Sequence, residues 1–194
     1  KDYMPVFRFK AKGLTQNLDK LVDLLKEISL HTVFTNKDRL VELVEETKAG
    51  WDMDAFRRGH TIVMHRVLSY VSPVEAFCDA GELSYYEFIT DVASRIHTDA
   101  EAIGAKLAAV MKKIFTRSAL TLEVTASRDD WQTAKNTVSS WITALPQGEK
   151  LQGLCDFGLS RKNEGIMTSG TVQYVAKGGN FRSHGYDYDG SLMV

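Results

Sequence analysis

Cysteine is nearly missing from this chain, with Cys78 and Cys155 the only two in 194 residues. They lie far apart and form no CxxC, so neither a disulfide framework nor a thiolate zinc site has support. Both are expected to be buried free thiols in a reducing compartment, the cytoplasm or an organellar matrix. An excess of charge of one sign is missing too, with 24 lysines and arginines against 25 acids. Without a net positive field the chain is not expected to hold nucleic acid or an anionic membrane. Arg57-Arg58 and Lys112-Lys113 read as solvated helix faces. No apolar run approaches the ~18 residues that span a bilayer, and the N-terminal stretch has no charged-then-apolar signal pattern.

Signatures of chemistry are equally sparse. There is no Gly-x-Ser-x-Gly elbow, neither cysteine has an activating context, and Lys177-Gly178-Gly179-Asn180 meets the spacing of neither the Walker A motif nor the dinucleotide fingerprint. That tetrapeptide reads as a tight turn leaving a strand. Among the five histidines, His60 and His65 are the closest pair, yet five residues of helix turn through roughly 500°, which sets the rings about 140° apart. They are not expected to share a metal. His31, His97 and His184 are placed near turns or helix ends. Glu42, Glu45 and Glu46 fall on an exposed helix side beside Lys48, and Tyr85, Tyr86 and Phe88 read as packing a helix onto a core. The run Tyr186-Asp187-Tyr188-Asp189-Gly190 alternates acid and aromatic but lacks the remaining ligands of a calcium loop. No catalytic, cofactor-binding or metal residue is therefore assigned.

What the chain does have is the composition of a packed domain, 44% apolar and 25% charged. Residues 6–12 alternate, with Phe7, Phe9 and Ala11 on one face, and predict a half-buried strand. Leu18, Leu21, Val22, Leu25 and Ile28 then follow helical spacing, with Thr15 or Asn17 as N-cap. A second helical stretch runs from Thr35-Asn36 to the residues before Ser72-Pro73, with Gly50 and Gly59 as places for a bend. Short helices are predicted over 74–80 and 84–94. Thr98 with Glu101 has the form of a capping box, opening a helix whose face is Ile103, Leu107, Val110, Met111 and Ile114. Leu120, Leu122 and Val124 alternate as a strand. Ser127 then caps a helix whose core side is Trp131, Ala134, Val138 and Trp141, stopped by Pro146 and Gly148. Residues 171–176 read as a further strand.

This order predicts an α+β two-layer sandwich, helix-rich, with helices on a mainly antiparallel sheet and incomplete at both ends. Residues 1–147 form most of one domain, 148–169 a connector, and 170–194 the first strand and start of the next. The opening on Lys1 and the end at Val194, just after Gly190-Ser191 starts a new helix, suggest a piece of a longer chain.

Pro5-Val6-Phe7-Arg8-Phe9-Lys10-Ala11-Lys12, Leu24-Leu25-Lys26-Glu27-Ile28, Gly59-His60, Ser69-Tyr70-Val71-Ser72-Pro73 and the run from Val172 to Phe181 give the chain its resemblance to a known family. Over essentially its whole length it resembles the C-terminal half of the presequence-protease branch of the insulinase-like (pitrilysin-type) zinc metallopeptidases. The resemblance implies a parent of four related α+β domains, forming two bowl-like halves that close around a peptide, with this chain covering most of the third domain and the start of the fourth. It also implies zinc in the parent, held by an inverted His-x-x-Glu-His motif that occurs nowhere between Lys1 and Val194, and substrate-binding arginine and tyrosine that follow Val194. The implied role is a noncatalytic segment of a zinc endopeptidase that degrades unfolded peptides, with those peptides and the remaining domains as its partners. The alternative is a catalytically inactive structural or peptide-binding subunit of the same family.

Overall fold

The computed structural model describes residues 6–149, 156–167, 171–187 and 189–193, and their regular secondary structure is helical. Six α-helices follow in order: α1 Leu18–His31, α2 Lys37–Arg57, α3 Gly59–Ser69, α4 Pro73–Asp79, α5 Leu83–Ile114 and α6 Trp131–Ala144. No strand is present among the described residues, which overturns the expected α+β sandwich on an antiparallel sheet. The physical reason lies in what alternation reports. It marks extended backbone with one covered face, but a sheet also requires a neighbouring strand to take the ladder hydrogen bonds. Residues 6–12, 120–126 and 171–177 have no such neighbour among the described residues, and helices cover their apolar side chains where these are covered at all.

The chain divides into two compact units, Lys1–Leu40 with Asp99–Leu154, and Val41–Thr98 with Cys155–Val194. In the first, α1 packs on α6, and Val22, Phe115, Val138, Trp141 and Leu145 form a buried cluster. Phe9, Leu120 and Val124 from the alternating segments pack against it, so the apolar faces read there are real although the sheet is not. Phe7 and Phe9 meet Phe115 edge-on at 5.9 and 5.7 Å. The indole N–H of Trp141 donates to Ser29 Oγ at 2.9 Å, and Ser29 in turn donates to the Leu25 carbonyl at 2.6 Å. A buried indole thus keeps its polar edge satisfied.

Local signals explain most helix boundaries. Asn36 Oδ1 accepts from Arg39 N at 3.0 Å and opens α2. Ser72 caps α4, with Pro73 at its first position. At α1 the candidate caps serve otherwise: Thr15 and Asn17 form a 3₁₀ turn, and Asn17 makes no side-chain cap bond. Ser127 heads the turn before α6, accepting from Asp130 N and donating to Asp130 Oδ2, while Asp130 holds the cap position.

Two helical assignments change. The long second stretch is cut at Arg58, so that Gly59 opens a separate helix, whereas Gly50 lies inside α2. Conversely, the two pieces expected over 84–114 are one helix of 32 residues, with Leu83, Ile89, Val92, Ile96, Ala100 and Gly104 buried along it. Thr98 sits on its exposed side and donates to the Arg95 carbonyl, while Glu101 pairs with Lys37 at 3.5 Å. The capping-box pattern arises there because solvated helix faces use the same polar residue types. Leu107, Val110 and Trp131, expected on core faces, are 38%, 50% and 46% exposed.

Candidate functional site

The most organised polar constellation lies in the second unit, around α3. Helical spacing puts Arg66 and Tyr70 on one face of the helix end, one turn apart. Helix α4 packs on α3 and contributes Asp79, α5 contributes Ser84 near its start, and the stretch 156–167 contributes Glu164. Arg66 Nη1 donates to Asp79 Oδ2 at 2.8 Å and to Ser84 Oγ at 3.1 Å, and Ser84 donates to the same Asp79 oxygen at 2.6 Å. The other edge of the guanidinium grips Glu164 in a fork, Nε at 2.7 Å and Nη2 at 3.1 Å. Tyr70 donates its hydroxyl to Glu164, and its ring lies 5.9 Å from the guanidinium carbon.

The Arg66 side chain is only 13% exposed and Asp79 only 5%, so the pair works in a desolvated setting where charge-assisted bonds are strong. Asp79 Oδ1 is buried without a hydrogen bond among the described residues. The guanidinium holds the Glu164 carboxyl well below its ordinary range, at about 2, with the Tyr70 hydroxyl acting in the same direction. Glu164 reciprocally raises Arg66. Burial and then Glu164 push the Tyr70 phenol up. A carboxylate this acidic is a poor general base at neutral pH, and Ser84 is tied to an acid and an arginine without an imidazole. The constellation binds and positions; it does not supply a nucleophile.

The histidines are separately engaged. His60 lies against the Tyr174 ring at 5.8 Å, while His65 Nδ1 meets Glu82 Oε2 at 2.7 Å, the other Glu82 oxygen taking Arg58 at 2.9 Å. His97, expected near a helix end, is inside α5 and 3.1 Å from Glu45. His184 sits in the 3₁₀ turn Phe181–His184, 3.5 Å from Arg161. His31 is exposed in the last turn of α1. No three histidine, cysteine or acidic side chains come together to hold a metal among the described residues. The zinc implied for the parent therefore does not fit these side chains, and no step is derived through it.

The remaining candidates resolve into packing and surface roles. Lys48 pairs with Asp52 at 2.6 Å, and Tyr86 donates to Asp52 at 2.7 Å. Tyr85 lies between Trp51 and Phe88, at 5.6 and 6.1 Å, fastening α5 to α2. Cys78, expected to be buried, is exposed on α4, its thiol pushed up by partial desolvation and then by Glu75 and Glu82. Cys155 lies outside the described residues, as does Tyr188. Asp189 accepts from Ser191 N at 2.8 Å, which lowers its carboxyl and gives it a turn-forming role. Asn180 accepts from Arg182 N and Ser183 N, and Gly178 sits close on Val67 and Leu68, in keeping with a tight turn.

Sequence reasoning missed Arg66, Asp79, Ser84 and Glu164. Only Tyr70 fell within a motif it used. The partners of Arg66 are 13, 18 and 98 residues away, so no local spacing announces them.

Comparison with known proteins adds what the geometry does not. Residues 1–92 match the family model for the region associated with subfamily C of the insulinase-like peptidases. Over all 194 residues the chain is 30% identical to "Protein HypA" of Clostridium perfringens, covering 20% of that protein. It is 26% identical over 188 residues, 95% of the chain, to presequence protease 1, chloroplastic/mitochondrial, of Arabidopsis thaliana, covering 17% of it. Over 113 residues, 57% of the chain, it is 25% identical to the mitochondrial presequence protease of Yarrowia lipolytica, covering 11% of it. The chain thus spans a fifth or less of the length of these relatives.

Proposed function

Since the chain falls in the presequence-protease branch, subfamily C, of the insulinase-like peptidases, we propose that it is a noncatalytic segment of a zinc-dependent endopeptidase that degrades unfolded peptides. Its part is to form wall and inter-domain contacts of the chamber in which the parent encloses a peptide. Residues 1–147, 148–169 and 170–194 act there as domain body, connector and start of the following domain. The observation that carries this reading is the match to the plant presequence protease along 95% of the chain. The absence of His-x-x-Glu-His from the sequence agrees with it, because the metal and the water-activating base are then supplied by the rest of the parent. A wall acts by shape and closure, excluding folded proteins by size, which suits a segment of packed helices.

The test is hydrolysis of unstructured peptides by the full-length protein and by the 194-residue chain alone. The full-length protein is expected to cleave them, to lose activity to a chelator and to recover it with zinc. The chain alone is expected to cleave nothing, and chelator-sensitive turnover by it would overturn the assignment. A full-length protein that binds peptides without cleaving them would establish the inactive-subunit alternative instead.

A further inference from the structure

We propose that Arg66 and Tyr70 form a binding pocket for a carboxylate, and that Glu164 is its resident occupant, an internal ligand strapping residues 156–167 onto α3. The pocket is organised without Glu164. Asp79 and Ser84 fix Nη1 of Arg66, and Ser84 is itself tied to Asp79. The guanidinium is thereby aimed with its Nε and Nη2 edge outward, the edge whose two parallel N–H groups match the two oxygens of a carboxylate. Tyr70 supplies a third donor to the same place.

The occupant arrives on a segment without regular secondary structure, in which residues 158–167 are exposed. Its attachment at Glu164 joins parts of the chain 94 and 98 residues apart. Removing the Glu164 carboxylate therefore leaves a preset arginine fork and a phenol donor facing outward, not a collapsed core.

Charge narrows the ligand class. Asp79 lies 2.8 Å from Nη1 and Glu87 3.9 Å from Nη2, so two acids already stand beside the single Arg66 charge. Lys162, 3.7 Å from Glu164, adds a positive charge only while the strap is down. A monoanionic, planar carboxylate suits this balance, whereas a phosphate dianion meets two like charges. Occupancy by a free carboxylate and seating of Glu164 exclude each other, which makes the strap an autoinhibitory contact for the pocket.

The experiment uses the full-length protein carrying fluorotyrosine at position 70, whose fluorine resonance is followed while sodium acetate replaces sodium chloride at constant ionic strength. In Glu164→Ala the resonance is expected to shift saturably with acetate, and the unsubstituted protein is expected to show no shift over the same range. Adding Arg66→Lys, which keeps the charge and loses the fork, is expected to weaken acetate binding about tenfold or more. No saturable response in Glu164→Ala would overturn the proposal, as would an equal response in the unsubstituted protein. Inorganic phosphate forms a second arm, and a response to it as strong as that to acetate would refute the carboxylate assignment. Because Glu164 lies on an exposed segment, its substitution leaves the helical circular dichroism unchanged, so a silent titration counts against the pocket.

Discussion

Replacing Gly104 by alanine is expected to loosen α5, although the same change at Gly50 is expected to tighten α2. Both glycines are inside helices, where alanine is favoured by up to about 1 kcal/mol. At Gly50 nothing lies within 4 Å of an added Cβ, so that gain is realised in full. At Gly104 the added carbon would meet the Phe34 carbonyl oxygen at 2.3 Å and Leu40 Cδ1 at 3.3 Å, the first roughly 1 Å short of ordinary contact. The obstacle is backbone and cannot turn aside as a side-chain tip would. Overpacking of this kind costs about 1–3 kcal/mol, and an unyielding neighbour puts it at the upper end. Subtracting the helix gain leaves about 2 kcal/mol of net destabilisation. The assay is amide hydrogen exchange in the intact protein, read by mass spectrometry on peptides from each helix. At about 1.4 kcal/mol per tenfold, amides around residue 104 should exchange about 30-fold faster in Gly104→Ala, and those around residue 50 about fivefold slower in Gly50→Ala. Slower exchange around residue 104, matching the effect at Gly50, would refute the packing of residue 34 against α5.

Gly148→Ala should also destabilise, by about 2 kcal/mol or more, because Gly148 has φ +62° and its Cβ would stand 2.4 Å from Thr116; Thr116→Ala should restore only the steric part of the unfolding midpoint. Trp141→Phe removes the buried donor to Ser29 and should cost about 1–2 kcal/mol in urea unfolding, with Ser29→Ala costing less in that background than alone; strict additivity would deny the bond. Acid should release the strap. The Glu164 carboxyl is lowered from 4.5 to about 2, so the stability it adds is present in full above the ordinary value and is lost as pH falls from about 4.5 towards 2. The fluorine resonance at position 70 should follow that window, and a change centred near neutrality would contradict the assignment.

The first unit was largely legible in the sequence because its helices are amphipathic in the simple sense. Val22 in α1 and Ala134, Val138 and Trp141 in α6 are buried where a period of 3.6 puts them. Phe9, Leu120 and Val124 were correctly read as core residues, and the error lay in inferring a ladder from alternation. The extent of α5 was not legible. Its surface carries Thr98 and Glu101 at the spacing of a cap, and only the unbroken series from Leu83 to Gly104 shows one helix. Nor was the Arg66 constellation, since a lone arginine followed by a tyrosine four residues later is common, and only the packing of α3 on α4 brings Asp79 to it. Glu164 sits among glycine, lysine and asparagine in a stretch that composition marks only as connector.

The three tryptophans give the molecule optical labels already in place. Trp51 lies in the second unit beside Tyr85, in range for energy transfer from that ring, whereas Trp131 and Trp141 lie in the first. Trp141, 4% exposed and hydrogen-bonded to Ser29, should emit to the blue and resist aqueous quenchers, and Trp131, 46% exposed, should emit to the red and be quenched freely. Acrylamide or iodide then separates the emission of the α1–α6 core from that of its own surface without a dye. Loss of the blue component under denaturant times the opening of that core.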